Sequence, residues 1–437
     1  MILKNFKDLL IPTELIWKNL QYKNIALKDK VNILLENKKL IHIFDDDIDN
    51  FILNALNYFE NLNIFICFGL DKNNAYKHYE TNFKDDYTLY GLKHIRLNSK
   101  ILLKVMYQLL FNRLIIRCKK DIINYLDIHF KYLNNTDLEY FDVSLLIIRK
   151  KQLNKKYPDN QGFDNYCLFI PQNTEELQYA SSIFFCTSSL EFIELQNFDF
   201  FLTRDYDTSR KMFLKYKKWL MTHIDYVNRQ QFMLFSSVVL YLLGNRNMND
   251  LDLYVHSICD DILVKTEQLN NKEEYNIDMS IKDTPNYPKH WAKWLDEWAV
   301  QCGAKYFEEI LGNPKYHFYY LGVKVISVHC DIVRRRVRQR PKAVADLIAL
   351  RKRYPYSVSI PPIPKTYNKY FSLDSISEQE IKNLIAKGGV INDENREICL
   401  LIQTNEEIFI NSVVSALNHR YKMKFTVEDI KRELGYC

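Results

Sequence analysis

Glycine is scarce: 10 residues in 437, against 26 phenylalanines and 30 tyrosines. That excludes collagen-like and glycine-rich linker architectures, and each glycine present becomes worth locating. The nine cysteines (Cys67, Cys118, Cys167, Cys186, Cys259, Cys302, Cys330, Cys399 and Cys437) form no Cys-x-x-Cys pair and are odd in number. A disulfide framework and a cysteine zinc site are therefore not expected, and reduced core thiols in a cytosol-like compartment are. No apolar run approaches the ~18 residues that span a bilayer; the longest lies at 238–243. Residues 1–8 lack the uninterrupted apolar region of a signal peptide. Repeats and low-complexity tracts are missing too. A cytoplasmic protein with no membrane partner is expected.

What is present is a globular composition, 47% hydrophobic and 26% charged, with a net charge of +6. That excess alone is too small to imply nucleic acid. The length suits two or three domains. Enrichment in Asn, Lys, Ile, Tyr and Phe points to an AT-rich genome, such as that of a large DNA virus, a parasite or a low-GC bacterium. For a viral protein the compartment would be the host cytoplasm.

The expected organisation is α+β. Residues 1–205 form an N-terminal α+β accessory domain, with strands at 40–44, 62–68 and 143–148 and a helix at 101–115. Asp45, Asp46, Asp47 and Asp49 suggest a phosphatase-type Asp-x-Asp site. Such a site needs Thr or Val at the position of Asp49, so the cluster reads better as the acidic first turn of a helix at 48–58. Residues 206–353 form a core: a helical stretch over 206–236, an apolar run at 238–243 read as a strand, a second strand at 250–255, a helix at 259–269 and a strand at 275–281. A tryptophan-rich helix at 290–303 follows, with Trp291, Trp294, Leu295 and Trp298 on one face, a core stripe or else a platform for a base. A strand at 318–328, a basic segment and a helix opened by Pro341 complete the core. Residues 354–372, with Pro355, Pro361, Pro362 and Pro364, read as an extended linker. Residues 373–437 read as a small helical unit, opened by a Ser375–Glu378 capping box and ended by a helix at 426–433.

The segment with specific chemical meaning is 238–255. An apolar run meets a turn at Gly244-Asn245, and a second short apolar run carries Asp250 and Asp252. On a strand those two carboxylates share a face while Leu251 and Leu253 point inward. Aligned carboxylates beside a turn suit a hard divalent cation held against phosphate. Further along, Arg334, Arg335, Arg336, Arg338 and Arg340 concentrate positive charge where a triphosphate or polynucleotide needs neutralising.

The segment resembles the signature of the nucleotidyltransferase superfamily typified by DNA polymerase beta, which includes poly(A) polymerases and CCA-adding enzymes. That signature reads strand, Gly-Ser or Gly-Gly, a short connection, then hydrophobic-Asp-hydrophobic-Asp-hydrophobic, with a third acidic residue on a later strand. Asn245 stands where the family has Ser or Gly. The resemblance covers roughly residues 230–350. It implies a mixed sheet with flanking helices and transfer of a nucleotidyl group from an NTP to a hydroxyl, using Mg²⁺ or Mn²⁺. Asp250, Asp252 and Asp278 would be the catalytic and metal-binding carboxylates, with Asp331 competing for the third place. Gly244, Asn245, Arg246 and the five arginines would bind the nucleotide. The acceptor stays open, with an RNA 3′ end among the candidates. Two rivals remain: a catalytically inactive member of the fold serving as a binding or viral structural protein, and a glycosyltransferase using Asp-x-Asp to hold a sugar nucleotide.

Overall fold

A computed structural model describes residues 62–111, 139–152, 156–159, 161–162, 166–197, 207–224, 232–248, 250–256, 277–282, 289–305, 307–353, 358–373, 376–392 and 397–436, with 53, 56 and 229. The expected strand at 40–44, the Asp45–Asp49 cluster and the helix at 259–269 lie outside these residues. So does the helix at 48–58, save Leu53 and Leu56, both buried.

The first sheet has the order β2-β3-β1-β5-β4, built from β1 (Leu62–Phe68), β2 (Tyr87–Asn98), β3 (Tyr140–Lys150), β4 (Gln161–Gly162) and β5 (Cys167–Phe169). Every neighbouring pair is antiparallel. Strand alternation divides β1 between two cores. Phe65 and Cys67 pack with Ala75 and Tyr79 of α1 (Lys72–Asn82). Ile64, Ile66 and Phe68 join the main core with α2 (Ser99–Leu109). A sheet covered on both faces reads as an unbroken apolar run, which is why β1 and β3 stand out in the sequence.

Helices α3 (Thr174–Phe184) and α4 (Thr187–Leu195) pack on a strand of the second sheet, β9 (His317–Tyr320). The main core likewise runs without a break from Ile64 to Leu253 and Val325.

The second sheet is mixed, in the order β8-β7-β6-β10-β9, with β6 (Phe232–Phe235), β7 (Leu251–His256), β8 (Ile277–Lys282) and β10 (Val323–Ile326). β7 runs parallel to β8 and antiparallel to β6; β10 is parallel to β6 and antiparallel to β9. α5 (Asp207–His223) sets Phe213 against Tyr320 of β9 and Trp219 against Phe232 of β6, with Tyr216 also in the core.

Several expectations are corrected here. The run 238–243 is not a strand: α6 (Ser237–Leu242) occupies it, and the strand is β6, inside the stretch 206–236 expected to be helical. All six residues of α6 are buried, and a run buried all round carries no period to separate helix from strand. The strand expected at 318–328 is the hairpin β9–β10, turning at Leu321 and Gly322, both at positive φ (49° and 76°). That geometry fits the twist of paired strands. α7 (Lys289–Gln301) matches the tryptophan-rich helix, and its Trp298 is buried, donating Nε1–H to the Cys330 carbonyl. α8 (Phe307–Gly312) precedes β9. The arginine run is itself helical, α9 (Val328–Arg338), and α10 (Pro341–Arg353) follows with Pro341 in its first turn.

The C-terminal unit is not all-helical. β11 (Thr366–Ser372), β13 (Glu397–Gln403) and β12 (Val390–Asn392) form an antiparallel sheet in that order, accompanied by α11 (Glu378–Ala386). The capping box sits two residues later than expected, at Ser377 and Glu380. α12 (Glu406–Tyr421) and α13 (Val427–Glu433) pack on α10 through Phe409, Ile410, Val413, Leu417 and Ile430. Among the described residues no helix is long and apolar enough to cross a membrane.

Candidate active site around Asp250 and Asp252

Register places one row of residues across three strands. Phe235 of β6 lies opposite Asp252 of β7, and Asp252 lies opposite Asp278 of β8. Laterally paired residues share a sheet face, so the backbone sets Asp252 and Asp278 side by side on one surface. Asp250 stands two residues before Asp252 at the mouth of β7, and both are half-buried. Three acidic positions thus meet at one end of the parallel β7–β8 pair.

The turn leading into this surface is Ser236-Ser237. Ser236 has φ +68° and ψ −114°, a strained conformation for a residue with a Cβ. Two contacts hold it. Ser237 Oγ lies 2.9 Å from the Asp250 carbonyl and 3.3 Å from Asp250 Oδ1, tying the turn to the first carboxylate. Arg335 Nη2 donates to the Ser236 carbonyl at 2.9 Å.

Gly244 has a different setting from the one the sequence suggested. Its φ of +76° ends α6, and the Asn245 amide returns to the Leu240 carbonyl at 2.8 Å, the usual way a glycine closes a helix. The Asn245 side chain is buried, and neither of its polar atoms has a hydrogen-bond partner. The two serines directly after the apolar tetrapeptide Phe232–Phe235 are the available signal for the strand-end turn, eclipsed by the rarer glycine.

The arginine run divides by burial. Arg336 and Arg340 are exposed and Arg338 is half-buried. Arg334 and Arg335 are buried, as is Arg246. Asp331 receives Arg334 Nε at 3.4 Å and Arg335 Nε at 2.8 Å. Asp346, on α10, receives Arg335 Nη1, with Arg246 Nε at 3.4 Å, Arg420 Nη1 at 3.2 Å and the Tyr421 hydroxyl at 2.5 Å. Four guanidiniums around two carboxylates leave two positive charges in excess. Burial opposes ionisation of Asp346, but Arg335, Arg246 and Arg420 outweigh it and hold the carboxyl below its ordinary range. Asp331, the other candidate third carboxylate, is thus committed to two arginines.

Arg334 links this cluster to the carboxylate row. Its guanidinium lies 5.4 Å from the Phe235 ring centre, and Asp252 acts on its charge. Its Nη1 is buried with no hydrogen-bond partner. Asp252 also acts on Arg338, whose affinity for its proton is lowered by burial and by neighbouring Arg334 and Arg340.

Comparison with family models, with curated proteins and with solved structures found no match.

Proposed function

We propose that the protein transfers a nucleotidyl group from an NTP to a hydroxyl acceptor, with Mg²⁺ or Mn²⁺ as cofactor. The observation that carries this reading is the row Phe235–Asp252–Asp278, with Asp250 beside it and the Ser236–Ser237 turn at its edge. Carboxylates and a hydroxyl are hard oxygen donors, the set these ions take. Bound there, such ions would neutralise phosphate charge and orient the attacking and leaving oxygens.

The chain's own residues supply the rest. Asp250, Asp252 and Asp278 would hold the ions, and Asp278 would accept the proton of the attacking hydroxyl. Arg334 Nη1 would meet a phosphate oxygen; being buried, it would bind it more strongly than a solvated arginine does. Arg338 would flank the same anion, while exposed Arg336 and Arg340 suit a polynucleotide backbone. In this reading Arg246 and Arg335 hold the site's frame, and Ser236-Ser237 replaces Gly244-Asn245 as the turn beside the phosphates. The glycosyltransferase rival is disfavoured by the sheet that precedes the motif. Among the described residues it is antiparallel, whereas that rival calls for parallel βαβ crossovers.

The test is incubation of the full chain with each α-labelled NTP and Mg²⁺ or Mn²⁺, comparing RNA, protein and no acceptor. Label transfer that is lost in Asp252→Asn supports the reading. No transfer to any acceptor with either metal contradicts it.

A further inference from the structure

The Asp346 cluster joins segments far apart in the chain. Arg246 comes from the connection between α6 and β7, Arg335 from α9, and Arg420 and Tyr421 from the last turn of α12. Arg335 is the pivot. One nitrogen reaches Asp346, another Asp331, and the third donates to the carbonyl of strained Ser236. An unbroken path therefore runs from α12 through Asp346 and Arg335 to the turn that holds Asp250.

The polar path adds to what docks the helix: the Tyr421 ring shares the apolar cluster, and its hydroxyl and Arg420 reach beyond it to Asp346. α12 is anchored on α10 by Phe409, Ile410, Val413 and Leu417. If the role of Arg420 and Tyr421 were only to fasten the C-terminal unit, this apolar face would suffice without two more donors on a buried carboxylate. Their cost is considerable, since Asp346 is removed from water to receive them. Buried charge retained at such a cost is best explained by the geometry it imposes, here on a turn whose backbone does not rest in its strained conformation unaided.

We propose that Arg420 and Tyr421 are positioning residues of the transfer site, so that the C-terminal unit governs the Ser236–Ser237 turn through Asp346 and Arg335. This rests on reading that turn and the neighbouring carboxylates as the site of transfer. A partner or acceptor that shifts α12 would thereby adjust the reaction without touching the reacting atoms.

Two readouts on the full chain test it, for Tyr421→Phe, Arg420→Met and Arg420→Lys. Amide hydrogen exchange is followed over 232–243 and, as an internal reference, over 62–68. Exchange over 232–243 is expected to quicken about tenfold in Tyr421→Phe and Arg420→Met while 62–68 is unchanged. Under NTP and Mn²⁺, kcat is expected to fall about tenfold with KM for NTP within about twofold, the mark of lost geometry rather than lost binding. Arg420→Lys, which keeps a cation at Asp346, is expected to recover most of both. Unchanged exchange, loosening spread equally over both segments, or a normal kcat overturns the proposal. If the wild type transfers nothing, the functional reading fails, and exchange alone decides whether α12 sets the turn.

Discussion

The sheet of β1–β5 and the sheet of β6–β10 each have five strands, yet they solve different problems. The first is antiparallel throughout and covered on both faces by aliphatic and aromatic side chains. Among the described residues before 200, no non-glycine residue has positive φ; the second sheet and α9 contribute Ser236, Leu321 and Gln339. Even where the first sheet gathers polar groups, they close on themselves. His94 lies 3.3 Å from Asp142 and 3.2 Å from Ser144, a grouping reminiscent of a hydrolase triad. However, Ser144 is fully buried and spends its proton on the Leu70 carbonyl, 2.8 Å away. The second sheet instead gathers strain, buried charge and half-open carboxylates at one edge. Strain and unbalanced charge that survive in a fold mark where chemistry is to be sought.

The sharpest test of that contrast is Asp252→Asn. Transfer is expected to fall by at least about a hundredfold, while the melting temperature changes little, because relief of repulsion with Asp250 offsets the lost attraction to Arg334 and Arg338. A large loss of stability would make the carboxylate pair structural. Asp346→Asn is expected to act the other way round. It unbalances a buried cluster, and chemical denaturation is expected to show a loss of about 3–5 kcal/mol. Because Asp346 titrates below its ordinary range when folded, its contribution is present above the unfolded pKa and lost as pH falls through the folded value. The variant therefore loses part of the wild type's acid-limb slope. In the first sheet, Phe65→Ala, which strips edge-on contacts with Phe83 and Tyr87, is expected to cost about 3 kcal/mol and leave kcat of the folded fraction unchanged.

Lys324 offers a subtler distinction. Its ammonium is buried on β10, donating to the Leu311 carbonyl at 2.8 Å, and burial pushes its pKa down to about 7. Between that value and the ordinary lysine range the folded state binds fewer protons than the unfolded one. Stability therefore rises with pH above 7, by up to roughly 1.4 kcal/mol per pH unit from this group. Lys324→Met is expected to flatten that rise in urea melts from pH 7 to 9; an unchanged slope counts against a depressed lysine. The smallest effect belongs to exposed Arg336. Arg336→Ala is expected to lower the salt slope of RNA binding by up to about one unit, and an unchanged slope removes this residue from any polynucleotide path.

How much of this was legible in the sequence depended on whether the cause was local. β1 and β3 were legible as apolar runs, and the strand carrying Asp278 as a short apolar run around one carboxylate. Pro341 and Thr426 marked helix starts at α10 and α13 because caps act within a few residues. Residues 238–243 were not legible as a helix, because total burial erases the period. The C-terminal sheet is not legible, since β12 has only three residues and β11 lies wholly within the stretch 354–372 that reads as linker. The role of Arg335 was hidden for a different reason. A charge run shows its sign but not its partners, and Asp346 and Ser236 come to it only through the fold.

The measurement that bears most directly on the central claim is transfer from α-labelled NTP to RNA in the presence of Mn²⁺, with wild type, Asp252→Asn and Asp278→Asn side by side. Labelled product from the wild type and at least about a hundredfold less from both variants, all three melting alike, is the predicted result. Equal labelling by all three, or none by the wild type with any acceptor, contradicts a transfer site on this strand row.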